Sequence, residues 1–167
     1  MSVLDILAYP NEQLKQLSAT VDQIDDSLLA FLRDLEETRL SGPGAVGIAA
    51  PQVGVHQRIA IVDVSNMKKP CDNHSHMIMI NPQITEWDGM AMGREGCLSV
   101  PDFTGNVIRA ERILLNYMDE AGEKHEITST GFEARAIQHE LDHLDGLLFL
   151  DRLVSRRTDL FRRKIYK

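Results

Sequence analysis

Apolar positions recur at helical spacing near both ends of the chain, and short β-branched runs fill the middle. After Asp25-Asp26-Ser27, residues Leu28, Phe31, Leu32 and Leu35 fall at i, i+3, i+4 and i+7. That spacing predicts an amphipathic helix capped by its acidic start and stopped by Ser41-Gly42-Pro43-Gly44. A shorter helix is predicted from Asn11, its cap, through Leu17. The helical period returns from Phe132 to about Leu148, where Ile137, Leu141, Leu144 and Leu148 form one stripe. Between these helices QRIAIVDV (57–64) and MIMINPQI (77–84) read as strands. RILLNYM (112–118) and KHEITST (124–130) read as a hairpin across the turn residues Asp119 to Gly122. Strands bracketed by helices, without regular alternation, predict an α+β fold. Mixed or antiparallel strands would pack around a central helix in the C-terminal half, with further helices near both termini. No repeat, low-complexity tract or linker breaks the pattern, so residues 1–167 are expected to form one domain.

Composition narrows the function classes. Apolar residues at 43% and charged residues at 26% are ordinary globular values, which excludes disordered and collagen-like chains. No apolar run approaches the ~20 residues that span a bilayer, and MSVLDILAYP lacks the basic and apolar regions of a signal peptide. The expectation is a cytoplasmic protein with no membrane partner, bacterial rather than organellar because no transit peptide is visible. A net charge of −7 argues against DNA binding through the overall field. The stretch 152–167 departs from that average, carrying Arg152, Arg156, Arg157, Arg162, Arg163, Lys164 and Lys167 against Asp159 alone. Two cysteines, Cys71 and Cys97, are too few for a disulfide framework.

The chemistry concentrates in QHELDHLDG (138–146). His139 and His143 stand one helical turn apart with Glu140 beside the first, an arrangement that presents two imidazoles to a metal and a carboxylate to a water. On a helical wheel the pair faces nearly opposite the leucine stripe, which places it in a pocket if the helix is central. The plainer reading is two hydrogen-bonded histidines on an ordinary helix. A catalytic site needs a third ligand, and Phe149 occupies the position where the extended zinc-protease motif has its third histidine. The candidates are Cys97, Cys71, His56, His74, His76, His125 and any carboxylate. Cys97 lies in GREGCLSVP (93–101), where Gly93 and Gly96 allow close backbone approach; it reads as a thiolate ligand or as a small buried hydrophobe. Cys71, His74 and His76 sit in a polar, turn-rich stretch that reads as a loop rather than a second metal site. His56 and His125 have no partner pattern. A further segment, PGAVGIAAPQVG (43–54), is narrow, rich in glycine and alanine, and ends in Gln52; a phosphate loop is excluded because no Lys-Ser/Thr follows.

AVGIAAPQ, EGCLS and QHELDHLDG, in this order and at these separations, resemble the peptide deformylase family, and the resemblance extends to DILAYPNEQLKQ and the INP of 80–82. It covers nearly the whole chain, with one departure: Ala45 stands where the family pattern has a leading glycine. The resemblance implies a metal-dependent hydrolase that removes the N-formyl group from the initiator methionine of new polypeptides and releases formate. By the same likeness Cys97, His139 and His143 hold one divalent metal, natively Fe2+, with Zn2+, Ni2+ or Co2+ able to substitute. A water on that metal attacks the formyl carbon, with Glu140 as general base and then acid. The formyl oxygen is stabilised by the Gln52 amide and the Leu98 N–H. Gly47 offers backbone hydrogen bonds to substrate, with Gly96 beside it, and Val46, Phe132 and Ala136 are candidates for the methionine pocket. Glu95 and Ser99 are expected to hold the EGCLS loop. The basic stretch 152–167 reads either as a solvated helix end or as a contact to the ribosome. Two rival functions remain, a zinc endopeptidase and a non-catalytic domain built on a structural metal.

Overall fold

Ile59, Ala60, Ile61 and Val62 form a strand buried on both faces, and the architecture is built outward from it. The structure, a computed structural model, describes residues 2–163. In chain order its elements are α1 (Asp26–Ser41), β1 (Gly47–Ala49), β2 (Ile59–Val62), β3 (Met77–Asp88), β4 (Ala91–Cys97), β5 (Val100–Arg109), β6 (Arg112–Met118), β7 (Lys124–Thr130), α2 (Gly131–Leu144) and β8 (Leu160–Arg162). Three 3-10 turns, Glu12–Lys15, Ala50–Val53 and Phe149–Arg152, complete it. The strands make a five-stranded antiparallel sheet ordered β1-β2-β3-β6-β7 and a three-stranded one ordered β4-β5-β8.

Alternation along β2 explains the layering. Ile59 and Ile61, with Ile48 and Ile80, point at Leu28, Leu32 and Leu35 of α1. Ala60 and Val62, with Ala49, Met77 and Met79, point the other way at Ala134, Ile137, Leu141 and Leu144 of α2. A strand whose two faces both meet helices has no polar face to show, which is why its sequence is a continuous apolar run. A third cluster of Leu14, Cys97, Val100, Val107, Leu148 and Phe149 joins the small sheet to the 3-10 turns.

The fold is mixed α/β with antiparallel sheets and two α-helices, in line with the class expected. Asp25 caps α1 by accepting from the Leu28 N–H at 2.8 Å, and Gly42 ends it. The hairpin of β6 and β7 pairs Arg112 with Thr130 through Met118 with Lys124. Its turn is held by Asp119, whose Oδ1 accepts from Ala121 and Glu123, and by Gly122 at φ +81°. Three expectations need correction. The first helix is one 3-10 turn capped by Asn11, ending at Lys15 rather than Leu17. α2 ends at Leu144: Gly146 at φ +75° turns the chain, and Leu148 keeps its burial by joining a different cluster. Near the C-terminus no α-helix forms among the described residues; residues 160–162 are strand β8, paired to Phe103–Gly105, and Lys164 and Lys167 lie outside the described residues.

Gly146 is also where α2 is locked to the N-terminal segment, because a Cβ there would run into the Lys15 carbonyl. Gly146→Ala combines a left-handed backbone with that collision and is expected to cost about 2–4 kcal/mol, read as a lower urea midpoint at unchanged slope.

Candidate metal and substrate site

α2 carries His139, Glu140 and His143, and three other segments bring the remaining groups to it. β4 ends on Cys97 and turns back tightly, Cys97 pairing with Val100, so that Leu98 and Ser99 form the turn. The 3-10 turn after β1 supplies Gln52. The ligand atoms of Cys97, His139 and His143 all lie within 4.8 Å of one another. Cys97 Sγ is 3.3 Å from His143 Nε2 and takes the Ser99 N–H at 3.4 Å and Gln52 Nε2 at 3.5 Å. Gln52 is fixed at both ends, accepting from the Ala49 N–H at 2.9 Å and donating to Ser99 Oγ at 3.0 Å.

The donor set fits a divalent cation. One sulfur and two imidazoles are ligands that zinc and ferrous iron both accept, and three leave a coordination position free. Among the described residues no fourth side chain joins this group. Electrostatics points the same way. Burial opposes a charge on His139, yet the nearby Cys97 sulfur and Glu95 outweigh it and hold its pKa well above the ordinary value. Burial and the positive His139 and Arg109 push His143 the other way, well below. A metal bound between the sulfur and the imidazoles would take the place of the proton on His139.

Glu140 lies beside the group, 5% exposed, with Oε2 lacking any hydrogen-bond partner. Burial raises its pKa to about 7. Behind His139 the arrangement is the opposite, fully paired. His139 Nδ1 meets Glu95 Oε1 at 2.8 Å, and Glu95 takes both prongs of Arg109 at 2.9 Å and Arg135 Nη1 at 2.7 Å. Arg109 continues to Asp142 at 2.6 Å, and Asp142 to Arg152 at 3.0 Å. Despite burial, the Arg109 and His139 bonds hold the Glu95 carboxyl far below the ordinary carboxylate range.

The group opens into a cavity of about 280 Å3. Val46, Gly47 and Gln52 line one wall, Gly96, Cys97 and Leu98 another, and Phe132, Ala136, His139 and Glu140 the helix side. Every residue expected to be catalytic or substrate-binding therefore borders one space. Ala45 lines it too, with ordinary negative φ; its carbonyl accepts Arg39 Nη1 at 3.1 Å, so the missing glycine strains nothing.

Three comparisons bear on the family. The family model described as polypeptide deformylase matches residues 3–159. The chain belongs to the peptide deformylase family. It is 42% identical over 164 residues to the peptide deformylase of Thermodesulfovibrio yellowstonii, covering 98% of this chain and 97% of that one. The Alkalilimnicola ehrlichii enzyme is 41% identical over 169 residues, covering 100% and 91%. Among solved structures, peptide deformylase from Ehrlichia chaffeensis in complex with actinonin superposes with a TM-score of 0.87 at 36% identity, over 94% of this chain and 91% of that one. The Legionella pneumophila peptide deformylase gives 0.84 at 36%, over 93% and 88%. The protein is accordingly an enzyme of this family, and no described helix is long and apolar enough to cross a membrane.

Residues away from the cavity resolve as ordinary structure. His74 bonds the buried Glu133 at 2.7 Å and His76 bonds Glu36 at 3.0 Å, so the two histidines of the 63–76 loop serve different carboxylates. Cys71 packs against the main core, and burial raises its pKa. His56 meets the Gln13 carbonyl and His125 meets Asp119. The sequence reading gave no site role to Arg109, Arg135 or Asp142, nor to Arg94 and Met67, which line the cavity, and it placed Arg163, which lines it too, only in the basic stretch 152–167. The one signal available was Asp142, an acid inside the histidine turn of a helix with a buried face.

Glu95→Gln leaves Arg109 with Asp142 as its one carboxylate and is expected to destabilise the metal-free protein by about 3 kcal/mol at neutral pH. A lowered folded-state pKa gives stability that is present above the ordinary 4.5 and is lost as pH falls. The difference between parent and variant in urea unfolding should therefore shrink progressively below about pH 4.5.

Proposed function

We propose that this protein removes the N-formyl group from the amino-terminal methionine of new polypeptides, releasing formate. Cys97, His139 and His143 would hold one divalent metal, Fe2+ natively, with Zn2+, Ni2+ or Co2+ as substitutes. The observation that carries the reading is the unpartnered Glu140 oxygen beside three converging ligand atoms on a narrow cavity, in a chain of this family. Family membership, and a relative crystallised with actinonin, support it.

A bound metal supplies the Lewis acidity that brings the pKa of a water close to neutral. The chain's own groups do the rest. Glu140 takes a proton from the attacking water and delivers it to the leaving amine, a task suited to a carboxyl that burial raises above the ordinary range. Gln52 Nε2 and the Leu98 N–H donate to the oxygen on which charge builds, and the Ala49 and Ser99 bonds keep the Gln52 amide from turning. Glu95 fixes the His139 ring through Nδ1, leaving Nε2 to face the ligand position. Gly47, at the start of β1, offers its backbone to an extended peptide. Val46, Ala136 and Phe132 form the apolar part of the wall that would take the methionine side chain.

A zinc endopeptidase is the less favoured reading, because the ligand set ends in a cysteine and the narrow Gly-Ala wall suits a small acyl group. Cleavage of casein would reverse that preference. A structural metal is disfavoured by three ligands beside a free carboxylate; loss of metal without unfolding would separate the two. Ribosome contact through 152–167 is proposed with a narrower base. Arg152 pairs with Asp142, and Arg163 donates to the Cys97 and Val100 carbonyls, which leaves Arg156, Arg157 and Arg162 for a partner among the described residues.

The test is formate release from formyl-Met-Ala-Ser by anaerobically purified, iron-loaded protein beside metal-replete Glu140→Gln. The parent should turn over, and the variant should lose on the order of 10³-fold in kcat. An inert parent at one metal per chain would overturn the assignment. Gly47→Ala gives a second check. A Cβ there would lie 2.8 Å from Glu140 Oε1, so alanine must displace the carboxylate. A loss of about 100-fold in kcat is expected, with metal content and unfolding midpoint unchanged.

A further inference from the structure

The cavity has a basic mouth for which the proposed chemistry has no use. Arg94 and Arg163 both line it. Arg94 and Gly96 share the outward face of β4, two residues apart, and Arg163 Nη2 lies 2.9 Å from where a Cβ on Gly96 would stand. Neither guanidinium has a carboxylate partner among the described residues, a condition shared with Arg33, Arg156, Arg157 and Arg162, whereas the third arginine lining the cavity, Arg135, pairs with Glu95. Arg94 instead bonds Asn106 Oδ1 at 3.1 Å and rests 3.7 Å from the centre of the Phe161 ring. Arg163 reaches the Cys97 and Val100 carbonyls at 3.3 Å. Neutral groups thus orient both side chains and leave both charges uncompensated, in a chain whose net charge is −7. The cavity's own carboxylates do not balance them: Glu95 is spent on Arg109, Arg135 and His139, and Glu140 is buried on the helix side.

Geometry ties this mouth to the residues that follow methionine. Gly47 and Gly96 each put one position without a side chain into the facing walls of the cavity, and an extended chain would pass between them. Each residue of such a chain advances ~3.3 Å. With methionine seated beside Ala136 and Phe132, the second and third residues would come within reach of the Gly96 side of the same cavity. We propose that Arg94 and Arg163 form a carboxylate-recognising pair that makes the enzyme favour formylated peptides with Asp or Glu at the second or third residue. The inference rests on the deformylase reading above. Planar guanidiniums already oriented by their neighbours lose little freedom on gripping a carboxylate. The pair is open to solvent, so screening limits its effect to about tenfold in kcat/KM rather than several orders of magnitude. Because the contact is made equally in the ground and transition states, it should act through KM with kcat little changed.

The experiment compares formate release from C-terminally amidated formyl-Met-Glu-Ser, formyl-Met-Gln-Ser and formyl-Met-Lys-Ser, and from the matching series varied at the third residue. Amidation removes the terminal carboxylate, which would otherwise occupy the same guanidiniums. The expected order is Glu above Gln above Lys at one or both positions, with the Glu-to-Gln ratio near tenfold at low salt and shrinking as salt rises. In the Arg94→Gln/Arg163→Gln double variant that ratio should fall to about one. A ratio taken within one enzyme cancels any change in metal loading or folding that follows from losing the Arg163 contact to the Cys97 carbonyl. Equal kcat/KM for all peptides, or a Glu preference that survives in the double variant, would overturn the proposal alone. Failure of every peptide to release formate would overturn the deformylase reading and this inference with it.

Discussion

Glu95 is the point at which the two sheets and the helix between them are held together. It lies near the end of β4, in the small sheet, and grips Arg109 of β5 together with Arg135 and His139 of α2, which packs on the large sheet. An isolated carboxylate at 6% exposure would be untenable, and three cationic or proton-donating partners make it favourable. Those partners also define where α2 can sit. A shift of the helix along its axis would leave Arg109 and Glu95 buried without each other's full complement, and breaking such a pair is far costlier than sliding an apolar contact. The ion network therefore sets the position of the histidines relative to Cys97, two residues beyond Glu95 on the same strand.

The same network explains how a helix so rich in charge can be central. Glu133, His139, Glu140, Asp142 and His143 are all buried, yet each except Glu140 has a directed hydrogen-bonding partner: Ser129 and His74 for Glu133, Glu95 for His139, Arg109 and Arg152 for Asp142, and Cys97 for His143. A polar group left bare in such a place costs stability without return in the fold, and it persists where the chemistry uses it. Glu140 Oε2 is left in that condition beside the cavity, as is His143 Nδ1 on the neighbouring turn. The raised pKa of Glu140 follows from burial without the paired cations that hold Glu95 down.

Much of this was legible in the chain. Period-2 and period-3.6 patterns located α1, α2, β2, β3 and the β6–β7 hairpin, the last with the observed ends, because each buries a continuous apolar face. The small sheet was not legible. β4 reads AMGREGC and β5 reads VPDFTGNVIR, with glycines, a proline and exposed polar positions that dilute any alternation. β8 is three residues of a stretch whose arginines suggested a helix end. The site was legible because its ligands fall in compact, unusual strings. Its supporting charges were not, since Arg109, Arg135 and Asp142 resemble surface residues until the partner segments come together. Arg94 escaped notice and Arg163 was read only as part of a basic stretch for the same reason: nothing local distinguishes a solvated arginine from one held at the mouth of a cavity.

Narrowness rather than volume sets what the cavity can do. Gly47 touches Glu140 so closely that no side chain fits between them, which makes the wall opposite the helix a bare strand edge. A bare edge can pair with an extended peptide backbone, whereas a wall of side chains would hold it away from the ligand atoms. On the proposed reading a peptide this close would set its amino-terminal end against Glu140, with Gln52, Cys97 and His139 lining the space beyond. On that reading the access of a chain end and the position of the Glu140 carboxylate both depend on Gly47, and the two cannot be varied independently there.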